Sequence, residues 1–264
     1  MSHHIWARNS INAIPDIPGL HISDLMPALE PASLKSQGFT HVLSLIDAQN
    51  APKPDPAVDV VYENIAIEDY DLVDLLEHIE GLCDWVEGVL AGKEVRATAV
   101  SARPEDVVGE EQGSTGEEDV KVEGKVETAR EPRVLVHCFQ GVSRSGSVVV
   151  ALLMRRLGLS FDEALERARE SRPIIMPNPG FADQLRVWEE VGFSIYEERE
   201  KEGEEGGKVK ERVLKKRYTE WKENRGVLMS RSEEEGVRAT RRGVAALAAR
   251  IGALRMEEKD GDEK

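Results

Sequence analysis

The apolar positions along the chain alternate between short runs typical of strands and longer runs with helical spacing. Runs at residues 17–22, 41–46 and 58–62 predict strands, and the second is almost continuously apolar. A continuous apolar run is typical of a strand covered on both faces. Apolar residues then recur every three or four positions, which predicts a helix over residues 72–89. Strand and helix runs that alternate in this way predict an α/β fold.

The same alternation resumes in the second half of the chain. Residues 133–137 predict another strand, which leads directly into the stretch HCFQGVSRSG. An apolar-faced helix is predicted over residues 145–157. Ser160 and Glu163 have the spacing of a capping box, which predicts the start of a further helix. A last core helix is predicted around residues 181–188.

Two segments lack the apolar pattern of a packed domain. Residues 92–132 hold 11 acidic and 6 basic residues and no aromatic residue. Such a segment buries too little apolar surface to offset its ordering entropy, so we expect a disordered acidic insertion. Beyond residue 196 we expect a charged linker over 197–207, followed by helices at 208–225 and 236–256. The predicted organisation is an N-terminal extension, a core domain and a charged, partly disordered tail, over residues 1–13, 14–196 and 197–264.

The charge of the chain limits its possible partners. The 264 residues include 50 acidic and 35 basic side chains, which gives a net charge of −15. The insertion carries −5 and the tail +1, so the rest of the chain carries −11. Broad binding to nucleic acid or to an anionic membrane needs a basic surface. We therefore expect no nucleic-acid partner and no stable membrane association, while the oligomeric state is left open.

Cysteine content and the N-terminus indicate the compartment. Only two cysteines are present, Cys83 and Cys138, and the N-terminus lacks the pattern of a signal peptide. The longest apolar run is too short to span a bilayer. We expect an intracellular chain, cytoplasmic or nuclear, with free thiols. Cys83 lies on the apolar side of the predicted helix at 72–89, where a packing role is expected.

The candidate chemistry lies between the strand at 133–137 and the helix that follows it. Cys138 comes directly after the strand, and Arg144 stands where the helix begins. Backbone N–H groups of such a loop, together with the positive end of the helix, bind an anion and favour the thiolate form of Cys138. The Arg144 guanidinium can donate two parallel hydrogen bonds to phosphate oxygens. This pattern predicts a thiolate nucleophile beneath a phosphate-binding loop, as attack on a phosphate monoester requires.

The stretch HCFQGVSRSG resembles the active-site signature of cysteine-dependent protein phosphatases, and it is most similar to the dual specificity branch. Four further blocks resemble consecutive parts of that catalytic domain, in the same order: IPGLHISDL, LKSQGFTHVLSLID, YENIAIEDYD and SRPIIMPNPGFADQLRVWE. The resemblance covers residues 14–196, with 92–132 as an insertion. It implies a protein tyrosine phosphatase-like α/β fold, with a central, mostly parallel sheet flanked by helices.

The resemblance also implies a role for each residue of the signature. Cys138 attacks phosphorus and forms a phosphocysteine, Arg144 binds the phosphate, and Ser145 hydrogen-bonds the sulfur and eases its departure. His137 orients and tunes Cys138. The loop between Cys138 and Arg144 supplies further phosphate-binding groups, at Phe139, Gln140, Gly141, Val142 and Ser143.

A general acid is expected in the loop between the third strand and the helix at 72–89. Asp69 matches the family position and Asp71 is the alternative, while a plain loop or helix-capping role for Asp69 stays open. Asn178 matches a residue that supports the phosphate loop, although a simple turn former before proline would look the same. No cofactor is implied, and no set of side chains has metal-ligand spacing.

The expected function is that of a protein phosphatase acting on phosphotyrosine and phosphoserine or phosphothreonine in protein substrates. One alternative is hydrolysis of phosphoinositides or other non-protein phosphates, whose enzymes tend to carry lysine in the loop, whereas this loop has none. A second is a pseudophosphatase scaffold that binds phosphate without turnover, although every catalytic position is filled. A sulfurtransferase would explain neither Arg144 nor Ser145.

Overall fold

Short apolar strands form a central sheet whose middle strand leads to the candidate nucleophile. The computed structural model describes residues 10–93, 131–202 and 208–229. The sheet has the order β1-β2-β5-β3-β4, in which β1 is antiparallel to β2 and all other neighbours are parallel. Its strands are β1 (Asn12–Ala13), β2 (Leu20–Ser23), β3 (His41–Ser44), β4 (Val61–Asn64) and β5 (Val134–His137). The predicted mostly parallel α/β sheet is therefore confirmed.

Within residues 10–93 and 131–202 the structure describes six helices in addition to the sheet. The four helices predicted between residues 72 and 188 are confirmed as α3, α4, α5 and α6. The capping box between Ser160 and Glu163 is present at the start of α5. Two short helices after β2 have too few residues for a helical period and escape sequence analysis. The helices are α1 (Leu25–Ala28), α2 (Pro31–Ser36), α3 (Leu76–Leu90), α4 (Arg144–Leu157), α5 (Phe161–Ser171) and α6 (Pro179–Glu190).

Apolar burial on both faces of the sheet explains the continuous apolar runs. All four residues of β5 are buried, and α4 is buried from Arg144 to Met154. Val42 of β3 stands beside Leu135 of β5, and both belong to one apolar cluster. The other buried members of that cluster are Ala28, Leu34, Phe39 and Val60. Parallel sheets are typically covered in this way, which leaves the carboxyl ends of the strands to hold a site.

The sheet begins earlier in the chain than predicted. β1 (Asn12–Ala13) lies inside the expected N-terminal extension of residues 1–13. Two residues are too few to show a period-two pattern, so sequence analysis has no signal there. The predicted disorder over residues 92–132 falls almost wholly outside the described residues, as does the predicted helix at 236–256.

A charged hairpin stands in place of the first half of the helix predicted over 208–225 and of the described part, 197–202, of the linker predicted over 197–207. Strand β6 (Tyr196–Glu202) pairs antiparallel with β7 (Lys208–Leu214), with Tyr196 opposite Leu214. Opposite charges face each other across the hairpin, and cross-strand pairs of this kind stabilise antiparallel strands. The 2.7 Å contacts join Glu198 to Lys210 and Glu200 to Lys208. The helical spacing of the apolar residues is therefore a misleading signal over residues 208–214, which form a strand.

The chain divides into two compact units, residues 1–215 and 216–264. In the second unit a helix, α7, occupies residues 216–229, so the helix predicted over 208–225 is correct only from 216 onward. Within α7 the rings of Tyr218 and Trp221 stack with centroids 6.0 Å apart. No helix in the described parts of either unit is long and apolar enough to cross a bilayer.

Candidate active site

The loop between β5 and α4, residues 138–144, surrounds the sulfur of Cys138 with hydrogen-bond donors; we call it the phosphate loop. Cys138 follows the buried central strand and is 1% exposed. Its Sγ accepts hydrogen bonds from the Gly141 N–H and from the Ser145 hydroxyl, each at 3.2 Å. Two donors are thus aimed at one sulfur. The predicted contact between Ser145 and the nucleophile is therefore present.

Gly141 makes the tight course of this loop possible. Its φ of +66° lies in the left-handed region, where side chains are rarely tolerated. A Cβ at this position would also lie 2.5 Å from the Ser23 carbonyl oxygen and 2.8 Å from Nη2 of Arg172. Both the backbone conformation and the close approach to the end of β2 therefore require glycine.

Arg144, the first residue of α4, is held by main-chain carbonyl groups at the carboxyl edge of the sheet. Its Nη1 donates to the carbonyl oxygens of Leu45 at 3.2 Å and Ile67 at 3.1 Å. The guanidinium also lies 5.4 Å from the ring centroid of Phe139. Its buried Nε has no hydrogen-bond partner in the described structure and lies 3.6 Å from Oδ2 of Asp69. A guanidinium fixed on one side in this way can offer its remaining N–H donors to phosphate oxygens.

Asp69 reaches the phosphate loop from the segment that follows β4. Its Oδ1 accepts hydrogen bonds from the Ser143 hydroxyl at 2.7 Å and from Nδ2 of Asn178 at 2.9 Å. With Arg144 also close to its other oxygen, the carboxyl group of Asp69 stands beside the phosphate loop. Of the two aspartates proposed from the sequence, Asp69 is the one with contacts that place it at the loop.

Asn178 connects three parts of the site. Its Oδ1 accepts from the Phe181 N–H at 2.8 Å, so it caps α6. Its Nδ2 donates to Asp69, and its backbone N–H donates to the Ser143 hydroxyl at 3.1 Å. Asn178 is therefore more than a turn former before proline, because it caps α6 and contacts the phosphate loop, while its supporting role in the reaction stays a prediction.

Known proteins share this arrangement of sequence and fold. Residues 121–191 match the model of the dual specificity phosphatase catalytic domain. Dual specificity protein phosphatase MPK-4 of Drosophila melanogaster is 29% identical over 180 residues, 67% of this chain and 36% of the relative. Dual specificity protein phosphatase 1B of Arabidopsis thaliana is 31% identical over 171 residues, 65% of this chain and 78% of the relative. The chain belongs to the dual specificity phosphatase family.

A solved structure independently supports the fold of this chain. The Yvh1 phosphatase domain from Chaetomium thermophilum is 26% identical, with a TM-score of 0.51 over 69% of this chain and 97% of that one. The curated relatives differ in length, because the chain spans only 36% of the Drosophila relative but 78% of the Arabidopsis relative. The family and the fold are therefore shared, while activity and substrates need their own argument.

His137 stays neutral at physiological pH. It is fully buried at the end of β5, and its Nδ1 lies 3.3 Å from the Cys138 carbonyl oxygen. Burial lowers the pKa of His137 to about 4, although the contact with the Cys138 carbonyl group opposes that shift. Its position beside Cys138 fits the predicted orienting role.

Arg172 is a part of the candidate site that the sequence did not indicate. It is 4% exposed and donates to the carbonyl oxygens of Gly141 at 2.8 Å and Gln140 at 3.1 Å. A third bond, of 2.7 Å, reaches Oδ1 of Asn12 in β1, and Asp24 lies 4.0 Å away. Burial lowers the pKa of the guanidinium, and the Asp24 carboxylate opposes that shift. Arg172 therefore holds the phosphate loop from outside, and only its place in the resembling block SRPIIMPNPG could have signalled it.

The second cysteine has the packing role that the sequence indicated. Cys83 is buried in α3, and burial raises the pKa of its thiol to about 12. It therefore stays protonated and unreactive at physiological pH. Within residues 10–93, 131–202 and 208–229, no group of three histidine, cysteine or acidic side chains could hold a metal ion.

Proposed function

We propose that this chain hydrolyses phosphate monoesters on tyrosine and on serine or threonine side chains of phosphorylated proteins, through a phosphocysteine intermediate. The observation that carries the proposal is the convergence of Cys138, Arg144 and Asp69 on one loop. A nucleophile, a phosphate ligand and a proton donor are the three groups that the reaction needs. Membership of the dual specificity phosphatase family supports the same reaction.

In the first step the Cys138 thiolate attacks phosphorus, and the bond between phosphorus and the side-chain oxygen of the substrate breaks. Arg144 and the backbone N–H groups of the phosphate loop bind the three equatorial oxygens as charge redistributes. Asp69, in its protonated form, gives its proton to the departing oxygen, so that the substrate leaves as an alcohol or phenol. The phosphoryl group now stands on sulfur.

In the second step water attacks the phosphocysteine and the sulfur–phosphorus bond breaks. The Asp69 carboxylate accepts a proton from the attacking water and is thereby ready for the next cycle. The Ser145 hydroxyl, 3.2 Å from Sγ, donates a hydrogen bond to the departing thiolate. The products are inorganic phosphate and the starting enzyme, so all atoms and protons balance.

Paired cysteine substitutions test this function. The protein should hydrolyse p-nitrophenyl phosphate in the presence of EDTA, and Cys138→Ser should abolish that activity. Cys83→Ser changes the other cysteine in the same way and should retain activity, because Cys83 is buried in α3. Full activity in Cys138→Ser would overturn the mechanism. Phosphate binding without turnover in the unmodified protein would instead indicate a scaffold.

A substrate comparison tests the protein specificity. Phosphotyrosine and phosphothreonine peptides should both release phosphate in the presence of EDTA. Vesicles containing phosphoinositides should release much less, because the phosphate loop carries Arg144 but no lysine that could bind additional phosphates. Faster release from the vesicles than from the peptides would favour the non-protein alternative.

A further inference from the structure

The segment over residues 69–76, which carries Asp69, is bound along its length by the N-cap residue and the first half of α6. At one end of the segment, Asn178 donates to Asp69 at 2.9 Å. At the other end, Gln184 accepts hydrogen bonds from the N–H groups of Leu75 at 2.7 Å and Leu76 at 3.2 Å. One helix thus contacts both ends of the segment over residues 69–76.

Gln184 supplies part of the N-terminal cap of α3, beside Asp74, whose Oδ1 accepts from the Glu77 N–H at 3.1 Å. The N-cap residue of α3 is Leu75, whose apolar side chain has no oxygen to accept from the free N–H groups at the helix start. The Gln184 Oε1 takes that place from α6, and its Nε2 donates to the Val73 carbonyl oxygen at 2.8 Å. The side chain is fully buried, and both ends of its amide are used. A buried amide with this pairing fixes position, because any shift of residues 73–76 would leave polar groups unpaired.

Gly180 fixes the middle of the segment by contact. A Cβ at Gly180 would lie 1.8 Å from the Asp71 carbonyl oxygen and 2.5 Å from the Asp71 Cα. The backbone of Asp71 therefore passes directly against the helix, in space that any larger residue would occupy. A side chain at 180 would push the segment, and with it Asp69, away from the phosphate loop.

We propose that Gln184 and Gly180 are positioning residues for the general acid, because α6 sets the place of Asp69 above the phosphate loop. The proposal rests on the proposed phosphatase function and on Asp69 as its acid. Neither residue is within the phosphate loop, and both act through the Asp69 segment. Misplacing a catalytic group by about 1 Å can cost roughly 100-fold in rate.

Leaving-group dependence separates this role from a purely structural one. Phenolate is a poorer leaving group than p-nitrophenolate, so hydrolysis of phenyl phosphate depends more on a proton donor. Gln184→Met keeps the volume and removes the hydrogen bonds. We expect its kcat/KM for phenyl phosphate to fall about 10- to 100-fold and its kcat/KM for p-nitrophenyl phosphate to fall less than about 3-fold. The value of kcat/KM reports formation of the phosphocysteine, so the second step, which both substrates share, does not enter the comparison. Asp69→Asn should shift the ratio in the same direction and further.

Matched controls exclude a general loss of packing. Trp188→Phe alters a fully buried side chain one turn further along α6 and should leave the ratio of the two kcat/KM values unchanged. Gly180→Ala should change the ratio as Gln184→Met does, and it makes the same test if Gln184→Met does not fold. Gly226→Ala places a methyl group in open space and should have no effect.

A double-variant cycle decides whether the effect passes through Asp69. In the Asp69→Asn background, Gln184→Met should lower kcat/KM for phenyl phosphate by less than about 2-fold, because the acid is already lost. Independent, multiplying effects would overturn the proposal, as would an equal loss of kcat/KM on both substrates. If p-nitrophenyl phosphate hydrolysis proves independent of Cys138, the proposed function itself fails. A Cys138-dependent enzyme whose ratio responds to Asp69→Asn but not to Gln184→Met or Gly180→Ala refutes the positioning role alone.

Discussion

The phosphate loop and the β6–β7 hairpin both carry many polar groups, but they use them in opposite ways. In the phosphate loop, the guanidinium groups of Arg144 and Arg172 are buried and donate to main-chain carbonyl groups. In the hairpin, Glu198 and Lys210 pair with each other while their side chains are 67% and 71% exposed. A buried charge that loses its partner is strongly destabilising, whereas an exposed pair contributes little.

This difference predicts where a substitution will have a large effect on stability and activity. A bond from arginine to a carbonyl group sets the course of the backbone, and the backbone of residues 138–144 is itself the phosphate site. A bond between two long exposed side chains sets only the position of those side chains. Substitutions at the phosphate loop should therefore have larger effects than substitutions in the hairpin.

Arg172→Met should damage stability and activity together. The Gly141 carbonyl group would be left buried and unpaired, so the free energy of unfolding should fall by about 3 kcal/mol. The loop would lose its outer support, so kcat/KM for p-nitrophenyl phosphate should fall roughly 100-fold. Urea unfolding and steady-state kinetics measure the two effects. Arg167→Met, at an arginine 46% exposed, is the control and should change neither by much.

The same contrast explains which parts of the fold were predictable from sequence. The strands that became β2 to β5 and the helices α3 to α6 have apolar runs whose spacing follows from burial. Only four of the fourteen residues of β6 and β7 are apolar, and they show no period-two alternation. Glu80 of α3 accepts from the Ile195 N–H before the hairpin and from Nη2 of Arg212 within it, and such a contact between distant parts of the chain has no signal in the sequence.

The candidate site divides in a similar way. Cys138, Arg144 and Ser145 are neighbours in sequence, so their spacing alone indicates that they meet. Arg172 and Gln184 act through hydrogen bonds to backbone groups far away in the chain. A buried arginine or glutamine looks the same in sequence as an exposed one, and only packing distinguishes them. The sequence therefore could not show which side chains hydrogen-bond to backbone groups far away in the chain.

His137→Gln should change the pH dependence of the free energy of unfolding. The folded protein leaves His137 neutral until pH falls to about 4, whereas the unfolded chain protonates it near pH 6.5. Because the unfolded state binds more protons between these values, stability contributed by the neutral form is present at pH 7 and is lost as pH falls. From pH 7 to pH 5 this residue should lower the free energy of unfolding by about 2 kcal/mol. Urea unfolding of His137→Gln should show a pH dependence smaller by that amount, and an unchanged dependence would contradict the burial of a neutral ring.

The hairpin should give the smallest effect, and the same substitution at two glutamates tests it. Glu198→Gln removes one partner of an exposed pair, so Tm should shift by less than about 2 °C and activity should stay constant. Glu80 of α3 instead accepts from the Ser194 hydroxyl, the Ile195 N–H and Nη2 of Arg212. Glu80→Gln should therefore lower Tm more and increase proteolytic cleavage within residues 196–214. Equal effects at the two positions would mean that the hairpin depends on its own charge pairs, and the contrast with the phosphate loop would then be wrong.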